Sequence, residues 1–546
     1  GVEQTATGLR GYSTLLTALA RGRTGQLGDI VATIQAEQDQ IIRSGHNGVL
    51  VVQGGPGTGK TVVALHRAAY LLYTFRFPLE DQGVLVIGPN RVFLRYIEQV
   101  LPSLGEAGVE QVVLADLVPG HRIGVIDTNA AKRVKGDIRM AKVIAKAVQD
   151  RQRPVRDDVE IPYGAGYMRL RATESARIVR DARRRFRRHN AAHRYVETEV
   201  ISAMIASSRN PDADVDTLRD SLRDIPEFRA TLARIWPMLV PAELLHDLFG
   251  SAALVKSAAK DEFSAEEYEC LVRTRSNSIA EVLWSDSDVA LLDEALALLG
   301  PRPRKNGKID ETDEVRVFGH IVIDEVQDLT PMQLRMASRR SLSGAMTVVG
   351  DLAQATGPFA PNDWSDLLQY LPTKREQEVI GLTVGYRIPA QIMALADKVM
   401  LEAAPSLRAP KSVREGDFGP DIVEAKSGKD LLDVVIEQAK ILLTNVGEGN
   451  VAIVCPDDMT DAVDGALTAA GVAHGRANTT ALDSRLTVVP VSVVKGLELD
   501  GVLVVEPARI VASQVHGLRS LYVALTRSTQ RLTVVHSEPL PRSMQS

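Results

Sequence analysis

Apolar positions along this chain follow two rhythms. Short β-rich runs, such as G-V-L-V-V-Q (48–53) and G-V-L-V-I-G (83–88), alternate with helical stretches through residues 28–128. That alternation predicts a parallel sheet with crossover helices. From about 131 to 300 the rhythm changes. Long stretches rich in Ala, Arg, Leu and Glu, as in L-L-D-E-A-L-A-L-L (291–299), have helical spacing and predict a helical insertion. P-R-P-R-K-N-G-K (301–308) reads as a linker. Strand-like runs return at F-G-H-I-V-I-D-E (318–325) and T-V-V-G-D (347–351). A second α/β unit follows from about 380, with V-A-I-V-C-P (451–456), L-T-V-V-P-V (486–491) and G-V-L-V-V-E-P (501–507). The fold class expected is therefore α/β, with two units and a large helical insertion in the first.

One strand runs into chemistry. G-G-P-G-T-G-K-T (54–61) fits G-x-x-x-x-G-K-[ST], with a strand before it and an apolar helix start after it. Gly55, Gly57 and Gly59 let the backbone N–H groups of the loop, Thr58 included, close around phosphate oxygens. Lys60 brings a cation to the β- and γ-phosphates, and Thr61 offers a hydroxyl to Mg²⁺. The loop needs a metal partner and a water activator. H-I-V-I-D-E-V-Q-D (320–328) supplies both, because its apolar strand ends at Asp324 and Glu325 on the edge where α/β ligands sit. Asp324 is suited to hold Mg²⁺ through water, and Glu325 to orient and deprotonate the attacking water. The substrate implied is a nucleoside triphosphate with Mg²⁺, the base being left open by these two motifs.

Composition narrows the class. Of 546 residues, only Cys270 and Cys455 are cysteines, which excludes a dense disulfide framework and suits a reducing interior. No apolar run approaches the ~20 residues of a membrane span, and no secretion-signal core stands at the N-terminus. A cytoplasmic protein without membrane contact, and a monomer, is expected. The chain starts at Gly1 without a methionine, so a fragment is one reading. Net charge is −5, but it is uneven. Residues 131–194 hold 19 Lys/Arg against 7 Asp/Glu, net +12, which leaves −17 for the rest. The peak, D-A-R-R-R-F-R-R-H (181–189), could face nucleic acid, an acidic protein, or plain solvent on one helix face.

D-E-V-Q-D (324–328) resembles the second motif of superfamily 1 helicases of the UvrD/Rep type, and further motifs follow in that family's order. I-Q-A-E-Q-D-Q-I-I (34–42) resembles the glutamine motif, which implies that Gln38 reads the adenine edge. V-V-G-D-L-A-Q (348–354) resembles motif three, with Gln354 a γ-phosphate sensor. L-T-V-G-Y-R (382–387) resembles motif four, which would stack Tyr386 on adenine and bring Arg387 to the γ-phosphate. V-K-G-L-E (494–498) resembles motif five, with Glu498 at the ribose. L-Y-V-A-L-T-R (521–527) resembles motif six, with Arg527 the arginine finger. The resemblance implies two RecA-like P-loop NTPase domains with ATP between them. The first would take residues 1–130 and 301–378, the insertion 131–300, and the second 379–546.

The strand-facing positions depart from that family. Stacking on aromatic side chains is a main grip on single strands, worth about 1–3 kcal/mol per base. Motif three continues here as A-T-G-P-F-A (355–360), with Gly357 where a tyrosine is expected and Phe359 at the second aromatic place. The first core's strand-binding motif reads I-G-P-N-R-V-F-L (87–94), and Ser492 takes the place of motif five's histidine. On the ATP side, Val62 stands where the family often has an arginine against the adenine. This combination resembles the HelD family, helicase-like ATPases that bind bacterial RNA polymerase, as does W-S-D-S-D-V-A-L-L-D-E-A (284–295). That resemblance implies a factor that removes stalled polymerase or its bound nucleic acid using ATP, with the insertion contacting the polymerase core. Family members carry an N-terminal coiled-coil arm, for which residues 1–29 are too short. A UvrD/PcrA-type DNA translocase or helicase is the second reading.

His189 and His193 stand four apart on one expected helix face, but with arginine neighbours and no third ligand. Trp236, Trp284 and Trp364 are expected as core or interface anchors rather than base-stackers. Trp364, soon after motif three, is the tryptophan to test for base stacking.

Overall fold

A computed structural model describes residues 27–45, 47–75, 82–91, 94, 108–164, 166–208, 214–302, 315–372, 377–425, 430–477 and 484–545, with side chains from residue 33 onward. Most of the 301–308 stretch, and Val92 and Phe93 of the 87–94 motif, lie outside the described residues. The chain divides into two compact units. The first is bounded by Gly1–Val113, Val317–Leu329 and Ser341–Ser546, the second by Leu114–Arg316 and Thr330–Arg340.

The first unit carries two six-stranded sheets, parallel at every pairing. The first sheet comprises β1 (Val49–Gly54), β2 (Val84–Ile87), β3 (Val109–Val112), β4 (His320–Ile323), β5 (Met346–Gly350) and β6 (Gln377–Leu382). Their spatial order is β6–β1–β5–β4–β2–β3. β2, β4 and β5 are buried at every position. Their Val/Ile-rich runs, with little polar alternation, are what a sheet covered on both faces requires. Helix α1 (Leu27–Arg43) leads into β1, and helix α2 (Lys60–Thr74) follows the glycine turn. α2 buries Val63, Ala64, Leu65, Ala68 and Leu71 in one core with Leu50, Val52, Val86 and Val322.

Because the strands are parallel, their C-terminal ends share one edge. β1 ends there in the phosphate loop, β4 in Asp324–Glu325, and β5 in Asp351–Gln354. Strand order puts β5 directly between β1 and β4. The topology alone therefore collects the three motifs at one edge.

The second sheet comprises β7 (Asp421–Glu424), β8 (Val451–Cys455), β9 (Gly475–Arg476), β10 (Leu486–Pro490), β11 (Leu499–Val505) and β12 (Ser528–His536), in the order β7–β12–β11–β8–β10–β9. Ala452, Val454, Val502 and Val504 pack with the helices Ala390–Ala403 and Gly517–Leu525, while Ile453, Cys455, Leu503 and Val505 pack with Leu431–Val446. The helix Gly517–Leu525 feeds straight into Arg527 and β12.

The second unit is mainly helical and has two cores. One joins the antiparallel hairpin Val159–Tyr163/Gly166–Leu170 to α3 (Ala172–Arg185), α4 (His193–Ala206) and the helices that run to Trp236. The other gathers around α5 (Asp286–Leu299), with Trp284 buried beside it and α6 (Pro331–Arg339) contributing Met332 and Met336. α5 starts on a capping box in which the Ser285 hydroxyl accepts from the Asp288 amide and the Asp288 carboxylate accepts from the Ser285 amide. The unit extends on both sides of residues 131–300. It takes in Leu114 onward, and it takes in α6, which in sequence lies between the acidic strand end and β5. Ion pairs hold α6 there. Asp293, fully buried, pairs with Arg339 and, at 2.7 Å, with Arg340, while Glu294 takes Arg335 at 2.8 Å and Arg339. Removing one member of such a pair strands the other's buried charge, at about 3–5 kcal/mol. Among the described residues no helix is long and apolar enough to cross a membrane.

Candidate nucleotide-binding site

The phosphate loop turns through left-handed backbone at Gly57 (φ 71°) and Gly59 (φ 83°). Glycine is needed here for space as well as for φ. A β-carbon on Gly59 would lie 2.6 Å from the Tyr386 hydroxyl, and one on Gly57 would lie 3.1 Å from the Arg387 β-carbon. Thr58 donates its hydroxyl to the Gly55 carbonyl at 2.9 Å, and the buried Lys60 ammonium donates to the same carbonyl at 3.0 Å. Lys60 and Thr61 open α2, so the loop's N–H groups and the positive end of the helix face one concavity.

Across the sheet edge, Thr61 donates its hydroxyl to Asp324 Oδ2 at 2.6 Å. Asp324 Oδ1 accepts the Glu325 amide at 2.8 Å. Glu325 sits at φ 51°, one of two non-glycine residues with positive φ among the described residues. Strained backbone at a carboxylate is the sort of cost a fold retains where the geometry is used. Gln327 donates to Glu325 Oε2 and accepts the Asp351 amide at 3.1 Å, which ties the ends of β4 and β5 together.

Residues from the later half of the chain close the site. The Tyr386 amide donates to the Gly57 carbonyl at 3.1 Å, which seats the strand Val384–Pro389 on the phosphate loop. Arg387 pairs with Glu498, and its guanidinium lies 5.7 Å from the Tyr386 ring centre. Buried Arg527 donates to Gln354 Oε1 at 2.7 Å, and Gln354 donates to Asp351 Oδ2 at 2.7 Å. A chain of hydrogen bonds thus runs from the end of β5 to the start of β12. Lys495 is held by three groups, Asp328 at 2.5 Å, the Gln354 carbonyl at 2.5 Å and Glu325 at 3.8 Å.

These contacts set the charge states. Burial, then the Glu325 charge beside it, push the Asp324 carboxyl up to about 6, against the Thr61 hydroxyl, the Glu325 amide and Lys60. Burial also acts to raise Glu325, but Lys495, Lys60 and Arg527 outweigh it and hold the carboxyl below its ordinary range. Two adjacent carboxyls are thus driven apart. Burial lowers the Arg527 guanidinium, offset in part by Glu325 and Glu498.

The donor set suits a hard divalent cation. Thr61 Oγ1 and Asp324 Oδ2 are adjacent oxygens beside a phosphate cradle, the arrangement that Mg²⁺ shares with substrate phosphates and water. Thr61 and Asp324 would hold it, and it would neutralise charge on the phosphate oxygens. No group of three or more His, Cys, Asp or Glu side chains able to hold a metal occurs among the described residues. His189 is instead bonded to the Pro237 carbonyl at 2.7 Å and to Gln152 at 3.1 Å, and stacks on Trp236.

Two residues singled out in the sequence stand apart from this network. Gln38 is half-buried on α1. Its neighbour Glu37 is the residue that ties the helix to the end of β6, accepting the Thr383 amide at 3.1 Å and the Thr383 hydroxyl. Trp364, the candidate for base stacking, is buried, its ring 3.1 Å from where a Gly350 β-carbon would lie. Lys495 and Gln327 were missed as site residues. Lys495 lies within the quoted V-K-G-L-E and Gln327 within D-E-V-Q-D, but neither has a spacing rule that announces its partner.

No family model matches the chain. Over 285 residues it is 27% identical to the ATP-dependent DNA helicase UvrD2 of Mycobacterium tuberculosis and of Mycobacterium bovis. That match takes in 50% of this chain and 38% of the relative, so the chain spans well under half the length of the curated proteins it matches. Among solved structures, the C-terminal domain of a possible DNA helicase from Lactobacillus plantarum WCFS1 matches 29% of this chain and 91% of its own, at 24% identity and a TM-score of 0.24.

Proposed function

From its distant homology to UvrD-like superfamily 1 helicases, we infer that this chain is an ATP-hydrolysing, helicase-like motor, and from the HelD resemblance of its motifs we propose that it acts with bacterial RNA polymerase. One observation carries the motor half. The phosphate loop, the Asp324–Glu325 pair and Arg527 from the second sheet meet in one hydrogen-bonded cleft. We read the two six-stranded sheets as RecA-like lobes with ATP between them. Lys60 and the loop amides bind the β- and γ-phosphates. Glu325, held ionised, orients the attacking water and takes its proton. Arg387 and Arg527 stabilise charge on the transferring phosphoryl group. In the described geometry Arg387 is paired with Glu498 and Arg527 with Gln354. Exchanging those partners for the γ-phosphate is the differential contact that couples nucleotide state to lobe closure.

The polymerase half rests on the HelD resemblance of residues 284–295 and of motif three. Gly357 removes the ring from the first aromatic place, leaving Phe359 at the second, and Trp364 nearby is buried rather than offered to a base. The UvrD2 match favours a second reading, a DNA translocase of the UvrD/PcrA type. ATP turnover with and without single-stranded DNA, together with co-elution of core polymerase, separates them. Polymerase co-elution with little strand stimulation is the expected result. Steep strand-stimulated turnover without polymerase binding reverses the ranking.

A pH experiment tests the charge arrangement. Lys495 is the strongest of the groups that hold Glu325 below the ordinary carboxylate range. Lys495→Ala therefore raises the pH at which Glu325 loses its proton, and the acid limb of the ATP turnover profile moves to higher pH. An acid limb that stays in place would remove Glu325 from the role of base or Lys495 from its neighbourhood.

A further inference from the structure

Helix α3 of the second unit buries Ser175, Ile178, Val179 and Ala182, and packs with Val196 and Val200 of α4. Its other side is arginine. Arg183, Arg184 and Arg185 in the last turn suit the negative end of the helix, and several guanidinium groups are absorbed locally. Arg177 meets Asp181 and Glu199, each at 3.4 Å. Arg183 donates to the Gln149 and Gln152 carbonyls and to Gln152 Oε1. Arg185 lies 5.1 Å from the Tyr195 ring centre.

Arg180, Arg184, Arg187 and Arg194 are not absorbed. All four are exposed, and none has a carboxylate partner among the described residues. Arg180 and Arg184 stand about one helical turn, ~6 Å, apart on the same side. Arg194 lies in the first turn of α4, which holds no acidic residue and where the dipole disfavours a cation. Arg185 and Phe186 both lie against the Tyr195 ring, at 5.1 and 5.5 Å, which brings the end of α3 to the start of α4 and gathers these charges around one junction. Like charges without counter-charge invite a polyanion.

The chemistry of the face selects which polyanion. No lysine stands between Lys146 and Lys256, so the charge is carried by planar guanidinium forks, which match phosphate oxygens two at a time. Between Met168 and Leu271 no large hydrophobic side chain is exposed among the described residues. A protein interface draws its strength from a buried apolar or aromatic centre, which this face lacks. Binding to a nucleic-acid backbone needs only the charges. We propose that Arg180, Arg184, Arg187 and Arg194 form a docking face for the phosphate backbone of a nucleic acid, on the insertion and independent of nucleotide.

The test uses the full chain. R180Q/R184Q/R187Q is compared with K142Q/K256Q/K260Q, an equal change in charge on exposed lysines of the same unit. Binding of a labelled single strand and of a labelled duplex is followed by anisotropy over a salt series, without nucleotide. The arginine variant is expected to lose about tenfold or more in affinity at low salt, and its slope of log K against log salt to fall by about two to three units. The lysine variant is expected to match wild type. The arms with single strand and duplex show which form the face takes. R180K/R184K/R187K, which restores the charge but not the forks, should regain the salt slope and only part of the affinity, and so separates loss of contact from misfolding. ATP turnover without nucleic acid should be unchanged in all forms, and the binding result stands even if no form hydrolyses ATP. Unchanged affinity and slope in the arginine variant overturn the proposal. Intact nucleic-acid binding with loss of core polymerase capture overturns it too, and assigns the face to a protein partner.

Discussion

Glu325→Gln is expected to bind ATP as wild type does and to hydrolyse it about 10²–10⁴-fold more slowly, the contribution of a positioned general base. The amide keeps the size and much of the hydrogen bonding of the carboxylate, so Gln327 retains a partner. It cannot take a proton from water. It also removes a negative charge beside Asp324, whose carboxyl the Glu325 charge helps to hold up. The Asp324 proton is therefore lost more readily in the variant, and Mg²⁺ retention should not suffer. Equilibrium binding of a fluorescent ATP analogue, paired with steady-state phosphate release, gives both readouts. Turnover within a few-fold of wild type would assign the base elsewhere.

Arg527→Ala is expected to lower turnover by about 10³-fold or more, with modest loss of ATP affinity. Arg527 comes from the start of β12 in the second sheet, yet its guanidinium bonds Gln354, just beyond the end of β5 in the first. A group so placed acts on charge that develops during transfer, more than on bound substrate. Because Arg527 is buried, the truncation also strands Gln354, and some loss of stability accompanies it. Arg527→Lys separates the two effects. It keeps a cation but not the fork, so it should fold as wild type while still losing most of the rate. Single-turnover phosphate release is the measurement. A mild effect in both variants would mean that the second sheet's residues do not reach the nucleotide during hydrolysis.

The sheet architecture was legible because apolar runs without alternation have few other uses in a chain that also carries helical rhythm. The phosphate loop was legible for a steric reason. Its glycines are demanded by backbone at φ 71° and 83° and by a tyrosine hydroxyl where a β-carbon would go. Other contacts were hidden because they depend on pairings between distant positions. Nothing local says that Lys495 will meet Asp328, or that Glu37 rather than Gln38 will bond Thr383. Trp364, expected as a core or interface anchor, is buried. The sequence could not choose between that and stacking, since a tryptophan after motif three reads alike whether its ring packs on Gly350 or faces solvent.

The membership of α6 bears on how this protein can be cut. The backbone leaves the acidic strand end at Leu329, spends Thr330–Arg340 in the helical unit, and returns at Ser341 to build β5. Excising residues 131–300 to obtain a minimal motor would strip Met332 and Met336 of most of their apolar core and leave Arg335, Arg339 and Arg340 without Asp293 and Glu294. The orphaned segment would be a greasy, cationic stub spliced between the two motifs that handle phosphate. The insertion is thus not a cassette that evolution or an engineer can lift out cleanly, and a shortened version needs α6 redesigned in the same step.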